Sequence, residues 1–213
     1  MSGAKGTICP TVTAEDPHLF RQQMERVANF ATRVHIDLSD GSLSPNKLID
    51  LDKVWWPGGV RADLHVMLAR PFEHVELYRA LGPQLVIVHA EGKGDFKAFA
   101  DLMHGHGIET GIALLPETSV EAIVPGLDMI DHVMIFSGKL GHFGGEADLK
   151  LLDKIRQLKQ LKPTLEFGWD GGVNDKNARA LYEGGVDVLN TGGFIQRSPH
   201  PEAAYDALTL AIL

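Results

Sequence analysis

The sequence predicts a single-domain (β/α)8 barrel, or TIM barrel, over residues 1–213, and three observations lead to this fold class. The length suits one domain, because α/β barrels of roughly 200 to 250 residues often do not divide. Short apolar segments typical of strands alternate with amphipathic segments typical of helices along the chain. The strand–helix unit repeats eight times, and no linker or low-complexity tract interrupts the series.

Eight strands are predicted from short runs of apolar and β-branched residues. They lie at 7–12, 33–38, 63–68, 85–89, 109–115, 132–137, 164–170 and 186–191. Eight βα units in a chain of this length favour a closed parallel barrel over an open doubly wound sheet, which rarely carries so regular a repeat.

Helices are predicted between the strands from apolar residues at helical spacing. They lie at 17–31, 71–81, 95–104, 147–161, 174–184 and 201–212. Asp16 before Pro17 marks the start of the first helix, and Gly184 with Gly185 marks the end of the fifth. One apolar stripe is expected along the fourth helix, made by Leu149, Leu152, Ile155, Leu158 and Leu161.

The composition and charge exclude several classes of protein. Hydrophobic residues make up 44% and charged residues 23%, which is usual for globular proteins and not for disordered ones. The 20 Lys and Arg residues against 28 Asp and Glu residues give a net charge of -8, which disfavours nucleic-acid binding. The apolar runs are too short to cross a membrane, and the N-terminal segment has no apolar stretch typical of a signal peptide.

Cysteine usage and motif searches narrow the function further. Cys9 is the single cysteine, so an internal disulfide is excluded and a reducing, cytoplasmic compartment is expected. The strings G-x-G-x-x-G and G-x-x-x-x-G-K-[ST] do not occur, so nucleotide binding of those two kinds is not expected. The sequence leaves the oligomeric state open, a homo-oligomer included.

Polar residues late in the predicted strands are the candidates for chemistry, because barrel active sites lie at the carboxyl ends of the strands. His35 and Asp37 stand two residues apart in the second strand, so their side chains share one face. His65 lies late in the third strand, and Asp170 ends the seventh. The intervening residues of the second strand are expected to face the helices, namely Val34, Ile36 and Leu38.

Two imidazoles and two carboxylates from different strands form a reasonable site for one divalent metal ion. The ligand types fit Zn2+, Fe2+, Mn2+ or Co2+ and do not choose among them. Taken singly, each residue is better explained without a metal, as a hydrogen-bonded core histidine or as an aspartate that caps a turn. The four together favour a cation, because burying two neighbouring carboxylates without one is costly.

Glycines follow the last three predicted strands, and the loops after strands seven and eight are where barrels usually bind phosphate. They are Gly141, Gly144 and Gly145, then Gly171 and Gly172, then Gly192 and Gly193. Glycines let backbone N–H groups approach an anion closely, although they also serve to make tight turns. The cluster predicts a phosphate site that does not depend on the net charge.

The sequence resembles the ribulose-phosphate 3-epimerases of the ribulose-phosphate-binding barrel superfamily over nearly its whole length. The marks of the resemblance are VHIDLSDG at 34–41 with Pro45-Asn46, DLHVML at 63–68, VHAE at 88–91, FGGE at 143–146 and DGGV at 170–173. Each mark is weak alone, but their order and their placement on successive strands make the match strong.

The resemblance implies roles for particular residues. His35, Asp37, His65 and Asp170 would bind the metal, and the two aspartates would also be the catalytic acid/base pair. Substrate contacts would come from Thr13, His65 and Met67. Backbone amides would bind the phosphate at Gly144, Gly145, Gly172, Gly192 and Gly193.

The activity that the resemblance implies is the interconversion of D-ribulose 5-phosphate and D-xylulose 5-phosphate through an enediolate. Two alternatives stay open, because the sequence departs from the family near the substrate: an epimerase of a hexulose 6-phosphate, and a phosphosugar-binding barrel without turnover. The departures replace family methionines with Ser39 and, approximately, Ser137, and they alter the loops after strands six and eight.

Several other residues receive an interpretation. Lys139 and His142 lie in the altered loop after strand six, where they would either assist phosphate binding or be solvated charges. His104 and His106 are expected on the surface at the opposite end of the barrel. The tryptophans are expected to pack against the core, with Trp55 and Trp56 under the second loop and Trp169 facing the helices.

Overall fold

A computed structural model describes residues 6–138, 140 and 145–213, which form a closed parallel barrel of eight strands in sequence order. The strands are β1 (Thr7–Val12), β2 (Arg33–Ser39), β3 (Arg61–Met67), β4 (Leu85–His89), β5 (Glu109–Leu114), β6 (His132–Phe136), β7 (Glu166–Asp170) and β8 (Val188–Thr191). The barrel closes where β1 pairs with β8, with Cys9 opposite Asn190. The predicted fold class is confirmed, and each predicted strand is present.

Helices surround the barrel. They are α1 (Pro17–Val27), α2 (Val75–Leu81), α3 (Phe96–Gly105), α4 (Leu152–Leu161), α5 (Ala178–Glu183), α6 (Gly193–Gln196) and α7 (Pro201–Ala211). The expected start of α1 is confirmed, because the Asp16 carboxylate accepts hydrogen bonds from the backbone N–H groups of His18 and Leu19. Gly185 follows α5 with a φ of 102°, which is the left-handed conformation expected of a helix stop.

The helix predictions are wrong in detail at several connections. The predicted helix 71–81 begins as a 3-10 helix, Pro71–His74, and short 3-10 helices alone connect β2 to β3 and β5 to β6. The expected stripe of the fourth helix is incomplete, since Leu149 is 41% exposed and Leu161 is 54% exposed. Leu149 lies on a 3-10 turn before α4, so it does not keep the α-helical period. The short helix α6 was not predicted.

The hydrophobic core lies between the barrel and the helices. Phe20 and Met24 of α1 and Ile155 and Leu158 of α4 are fully buried there. Trp169 is fully buried in the same cluster, so the prediction that it faces the helices is confirmed. The residues between the polar positions of β2 also belong to this cluster, as predicted: Val34, Ile36 and Leu38.

A buried polar cluster lies inside the barrel near the amino ends of the strands. Nε of Arg33 donates to Asp63 at 2.7 Å, and the other two guanidinium nitrogens donate to the two Glu166 oxygens at 2.8 Å each. Nδ1 of His132 lies 2.8 Å from Oε2 of Glu166. These contacts, with the charge of Arg33, hold the pKa of Glu166 well below its ordinary value even though burial raises it. These four residues, Arg33, Asp63, His132 and Glu166, form a charged layer at the amino end of the barrel, which we call the floor.

The structure also bears on the membrane prediction. Among the residues that the structure describes, every helix is too short or too polar to cross a membrane.

We expect Arg33→Met to lower the free energy of unfolding by about 3–5 kcal/mol, because it leaves Asp63 and Glu166 without their cation. Urea denaturation measures this change. Arg156→Met is the matched control, since Arg156 is exposed and its ion-pair partner among the described residues is Asp153 on the same helix. Equal stability of the Arg33 and Arg156 variants would contradict this account of the floor.

Candidate active site

Four predicted side chains meet at the carboxyl ends of β2, β3 and β7. One ligand atom from each of His35, Asp37, His65 and Asp170 lies within 4.8 Å of those from the other three. The pairing of Asp37 opposite His65 in the β2–β3 register brings the two strands' polar residues side by side. The period-2 pattern of β2 therefore placed both of its polar residues correctly.

Asp37 is at the centre of the site's contacts. Its Oδ1 lies 2.8 Å from Nδ1 of His65 and 3.3 Å from Nε2 of His35, and its Oδ2 accepts a 2.6 Å hydrogen bond from the Thr13 hydroxyl. Asp170 lies near the same nitrogen, with Oδ2 3.9 Å from Nδ1 of His65. One imidazole nitrogen thus faces both carboxylates.

His35 provides the test of whether the cluster fits a metal ion. Its ring is fully buried, and Nδ1 has no hydrogen-bond partner within the described structure, whereas Nε2 lies 3.3 Å from Oδ1 of Asp37. A buried polar atom without a partner is costly, whereas a nitrogen that ligates a cation has its partner. Two imidazoles and two carboxylates are a donor set that divalent transition metals accept, so the residues present fit such an ion.

The two aspartates have pKa values displaced in opposite directions. Burial raises the pKa of Asp37, but its contacts with His35 and His65 outweigh burial and hold that pKa well below its ordinary value. Burial, and then the charge of Asp37, raise the pKa of Asp170 above its ordinary value. Burial lowers the pKa of His35, but the neighbouring carboxylates, Asp37 first, raise it overall.

A cavity of about 310 Å3 opens beside these residues at the carboxyl end of the barrel. Most of the predicted site residues line it: Thr13, Asp37, His65, Met67, Asp170, Gly145, Gly172, Gly192 and Gly193. Four residues with a predicted role lie outside the described residues: Lys139, Gly141, His142 and Gly144. The structure therefore brings the polar site and the described part of the glycine cluster to one cavity.

Thr13 is held in place through both its backbone N–H group and its backbone carbonyl. Its backbone N–H donates to Oε1 of Gln23 at 2.8 Å, and its carbonyl accepts from Nε2 of Gln23 at 2.8 Å. Because Gln23 lies on α1, this helix fixes the hydroxyl that supports Asp37.

Close backbone contacts require glycine at two positions after β7. Gly171 has a φ of 111°, and a Cβ there would lie 1.9 Å from the carbonyl oxygen of Ser137. Gly172 has a φ of 72°, and its Cβ would lie 2.4 Å from the backbone nitrogen of Ala147. The loops after β6 and β7 therefore pack backbone to backbone, which fixes the position of Asp170 next to them.

The structure corrects the interpretation of strand six. Ser137 was expected at the position of a family methionine, but its hydroxyl accepts a 2.8 Å hydrogen bond from the backbone N–H of Asp148 and does not line the cavity. Phe136 lines the cavity instead, with its ring 6.2 Å from that of His65. Period-2 alternation from the inward-facing His132 explains the shift of one residue.

Two further residues at the site were missed by the sequence reasoning. His89, which ends β4, is buried with Nε2 2.8 Å from Nε2 of His65. Its position in VHAE, late in an inward-facing strand, was an available signal. Arg197 lines the cavity beyond α6, and no local pattern in the sequence indicated it.

The other two histidines and two tryptophans for which a location was predicted lie where they were expected. His104 is partly exposed and lies 2.7 Å from Asp131, and His106 is exposed; neither lines the cavity. Trp55 and Trp56 are partly buried and pack against the hydrophobic core.

Solved structures that are similar to this chain share its fold. A 3-hexulose-6-phosphate synthase from Salmonella typhimurium superposes with a TM-score of 0.72 at 11% identity, covering 97% of this chain and 98% of the other. An orotidine 5'-phosphate decarboxylase from Pyrococcus horikoshii OT3 gives 0.68 at 16% identity, covering 97% and 99%. At these identities the likeness shows the fold alone.

Sequence comparisons then give the family. The model of the ribulose-phosphate 3 epimerase family matches residues 7–195. A ribulose-phosphate 3-epimerase of Helicobacter pylori strain J99 is 33% identical over 94% of this chain and 95% of its own, and one of Schizosaccharomyces pombe is 25% identical over 97% and 93%. The chain is thus an isomerase that acts on carbohydrate phosphates. It belongs to the ribulose-phosphate 3-epimerase family.

We expect Gly171→Ala to lower the free energy of unfolding by at least about 2 kcal/mol, because the new Cβ overlaps the Ser137 carbonyl in a left-handed backbone. Thermal or urea unfolding measures the loss. Gly193→Ala is the matched control, since Gly193 has no positive φ and a Cβ there has no atom nearer than 3.8 Å. The prediction is wrong if the two variants are equally stable.

Proposed function

We propose that this chain interconverts D-ribulose 5-phosphate and D-xylulose 5-phosphate, with Asp37 and Asp170 as the acid/base pair. The observation that carries the proposal is that these two carboxylates, one from β2 and one from β7, line one cavity and lie 2.8 Å and 3.9 Å from Nδ1 of His65. A protein that only binds a phosphosugar has no need of two such groups. Family membership supports 3-epimerisation of a ribulose phosphate as the reaction.

The reaction needs two proton transfers on opposite faces of C3. One aspartate, as carboxylate, takes the C3 proton, and the C–H electron pair moves into the enediolate. The other aspartate, as the acid, then gives its own proton to C3 from the opposite face and becomes the carboxylate. Configuration at C3 is inverted, and the two aspartates have exchanged their protonation states.

The chain orients Asp37 for this role before substrate arrives. The Thr13 hydroxyl binds Oδ2, and His65 lies against Oδ1, so the carboxylate is held from both oxygens. A general base must lie within hydrogen-bonding reach of the proton that it removes, and such fixed contacts keep it there. We assign Thr13 to this orientation as well as to substrate contact.

A divalent cation would be held by His35, Asp37, His65 and Asp170, with Zn2+, Fe2+, Mn2+ and Co2+ as the candidates. When bound, it supplies a positive charge that polarises the ketone and stabilises the negative charge that develops on the substrate oxygens. The fully buried Nδ1 of His35, which has no partner within the described structure, supports this assignment.

We assign the substrate phosphate to the glycine loops after β6, β7 and β8, with backbone amides near Gly144, Gly145, Gly172, Gly192 and Gly193 as donors. Arg197 lines the same cavity, and its guanidinium carbon would lie 3.8 Å from a Cβ at Gly193. No ion pair of Arg197 is found within the described part of the chain. We therefore assign it as a cation that assists the amides.

Met67 and Phe136 provide the apolar wall of the cavity. Such a wall excludes water from the reacting carbons and protects the enediolate. The ring of Phe136 lies where the family has a methionine. Because this changes the wall of the cavity, a hexulose 6-phosphate stays an alternative substrate. A comparison of turnover on pentulose and hexulose phosphates decides between them.

The cytoplasmic location and the oligomeric state stay predictions. Cys9 is free and fully buried on β1, which is consistent with a reducing compartment.

We expect Asp37→Asn and Asp170→Asn each to lower turnover at least about 100-fold, since each removes one of the two proton-transfer groups. An NMR or coupled assay of epimerisation measures this. Asp101→Asn is the control and keeps normal turnover, because Asp101 is exposed on α3 and pairs with Lys97 of the same helix. An Asp37 or Asp170 variant with nearly normal turnover would disprove the acid/base assignment.

His35→Ala and His65→Ala are expected to lose bound metal first, with activity falling in proportion to occupancy. Elemental analysis after dialysis against the metal measures occupancy in each variant. His106→Ala, exposed and distant from the cavity, retains it. Full metal content in both site variants would rule out the proposed four-ligand site.

Gly193→Val places a branched side chain where the phosphate is expected. We predict a large rise in KM for the phosphorylated ketose with unchanged metal content, because the lost interaction is common to the ground and transition states. Arg197→Ala is expected to give a smaller rise that shrinks with increasing ionic strength. A folded, metal-loaded Gly193→Val with the parent's KM would show that the phosphate binds elsewhere.

A further inference from the structure

Asn190 of β8 is a buried amide on the wall of the cavity. Its side chain lines the cavity, although the residue is only 2% exposed. Its Oδ1 has no hydrogen-bond partner within the described residues. Thr11, on the neighbouring strand β1, also presents a buried hydroxyl without such a partner, so the two side chains do not satisfy each other. Because an unpaired buried acceptor is costly, Oδ1 indicates a ligand that donates a hydrogen bond there.

The other end of the amide fixes its orientation. Nδ2 of Asn190 lies 3.4 Å from the sulfur of Met134 inside the barrel. A thioether sulfur accepts hydrogen bonds and does not donate them, so the NH2 group is the end that faces Met134. Oδ1 is therefore the end left for a ligand. In a ketose phosphate the ketone and the phosphate dianion only accept hydrogen bonds, so the hydroxyl groups are the donors that can bind Oδ1.

The position of Asn190 selects one of these hydroxyls. It lies opposite Asp170 in the β7–β8 register, and neighbouring strands are about 4.8 Å apart. It also precedes Gly192, in the loop assigned to the phosphate, by two residues. Asp170 is assigned to C3 and the loop to the phosphate on C5, so C4 is the carbon between them. The C4 hydroxyl is the donor that this geometry brings to Oδ1.

We propose that Asn190 binds the C4 hydroxyl of the substrate and is a specificity-determining residue of the site. The inference rests on the proposed function and adds to it a group that takes no part in proton transfer or metal binding. The contact is common to the ground and transition states, because C4 does not react, so its loss raises KM more than it lowers kcat. A sugar without this hydroxyl is rejected, since it leaves the acceptor unpaired.

The test compares D-ribulose 5-phosphate with its 4-deoxy analogue, in which C4 carries two hydrogens. Proton NMR of exchange at C3 in D2O gives kcat and KM for each sugar, and calorimetry gives the two dissociation constants. Asn190→Leu replaces the amide with an apolar group of similar shape. Asn29→Leu is the matched control, because Asn29 is exposed after α1 and does not line the cavity.

We expect the parent to have a KM at least about 10-fold higher for the 4-deoxy analogue than for D-ribulose 5-phosphate, with kcat changed less. In Asn190→Leu the KM for D-ribulose 5-phosphate should rise about 10-fold. The two sugars should then differ by less than about 2-fold in KM, because this variant has no acceptor to leave unpaired. Asn29→Leu should keep the parent's ratio of KM values.

The inference is overturned if the parent binds both sugars equally, as it would if Oδ1 bound only water, or if Asn190→Leu keeps the parent's ratio of KM values. Should Asn190→Leu not fold, Asn190→Val, with a side chain typical of strands, decides by the same ratio. A parent that binds both sugars and epimerises neither contradicts the proposed function instead, and the ratio of the dissociation constants then decides the role of Asn190. A parent that binds neither sugar overturns both.

Discussion

Two carboxylates buried in one cavity repel each other, and the rest of the site is arranged around that repulsion. Asp37 keeps its charge because His65, His35 and the Thr13 hydroxyl surround it. Asp170, which has fewer such partners, has its pKa raised by burial and by the charge of Asp37. A cavity that holds one carboxylate charged and favours the proton on the other suits chemistry that needs a base and an acid together.

The barrel separates its buried charged residues into two layers, one near the amino ends of the strands and one near their carboxyl ends. The lower layer balances Asp63 and Glu166 with Arg33, so it is closed by internal ion pairs. The upper layer consists of His35, Asp37, His65 and Asp170 and contains no arginine or lysine, and Nδ1 of His35 has no hydrogen-bond partner within the described structure. A bound cation would neutralise the upper layer as Arg33 neutralises the lower one, which is why we place the metal there.

The strands and the four-residue cluster could be predicted from sequence because both depend on local alternation. His35 and Asp37 share a face by spacing alone, and late positions in the predicted third and seventh strands placed His65 and Asp170 at the same end of the barrel. The shift from Ser137 to Phe136 escaped prediction because counting residues back through an altered loop does not fix the inward face of a strand. Arg197 escaped because its relation to the cavity depends on how α6 follows β8, a tertiary feature without a sequence pattern.

The central claim is that this chain inverts C3 of a ketose phosphate by proton transfer, with a divalent cation bound. The most direct measurement incubates metal-loaded protein with D-ribulose 5-phosphate in D2O and follows the sugar by proton NMR, with a chelated sample alongside. The account predicts D-xylulose 5-phosphate that carries deuterium at C3, and loss of both product and exchange on chelation. Product without deuterium at C3, or neither product nor exchange in the metal-loaded sample, would contradict it.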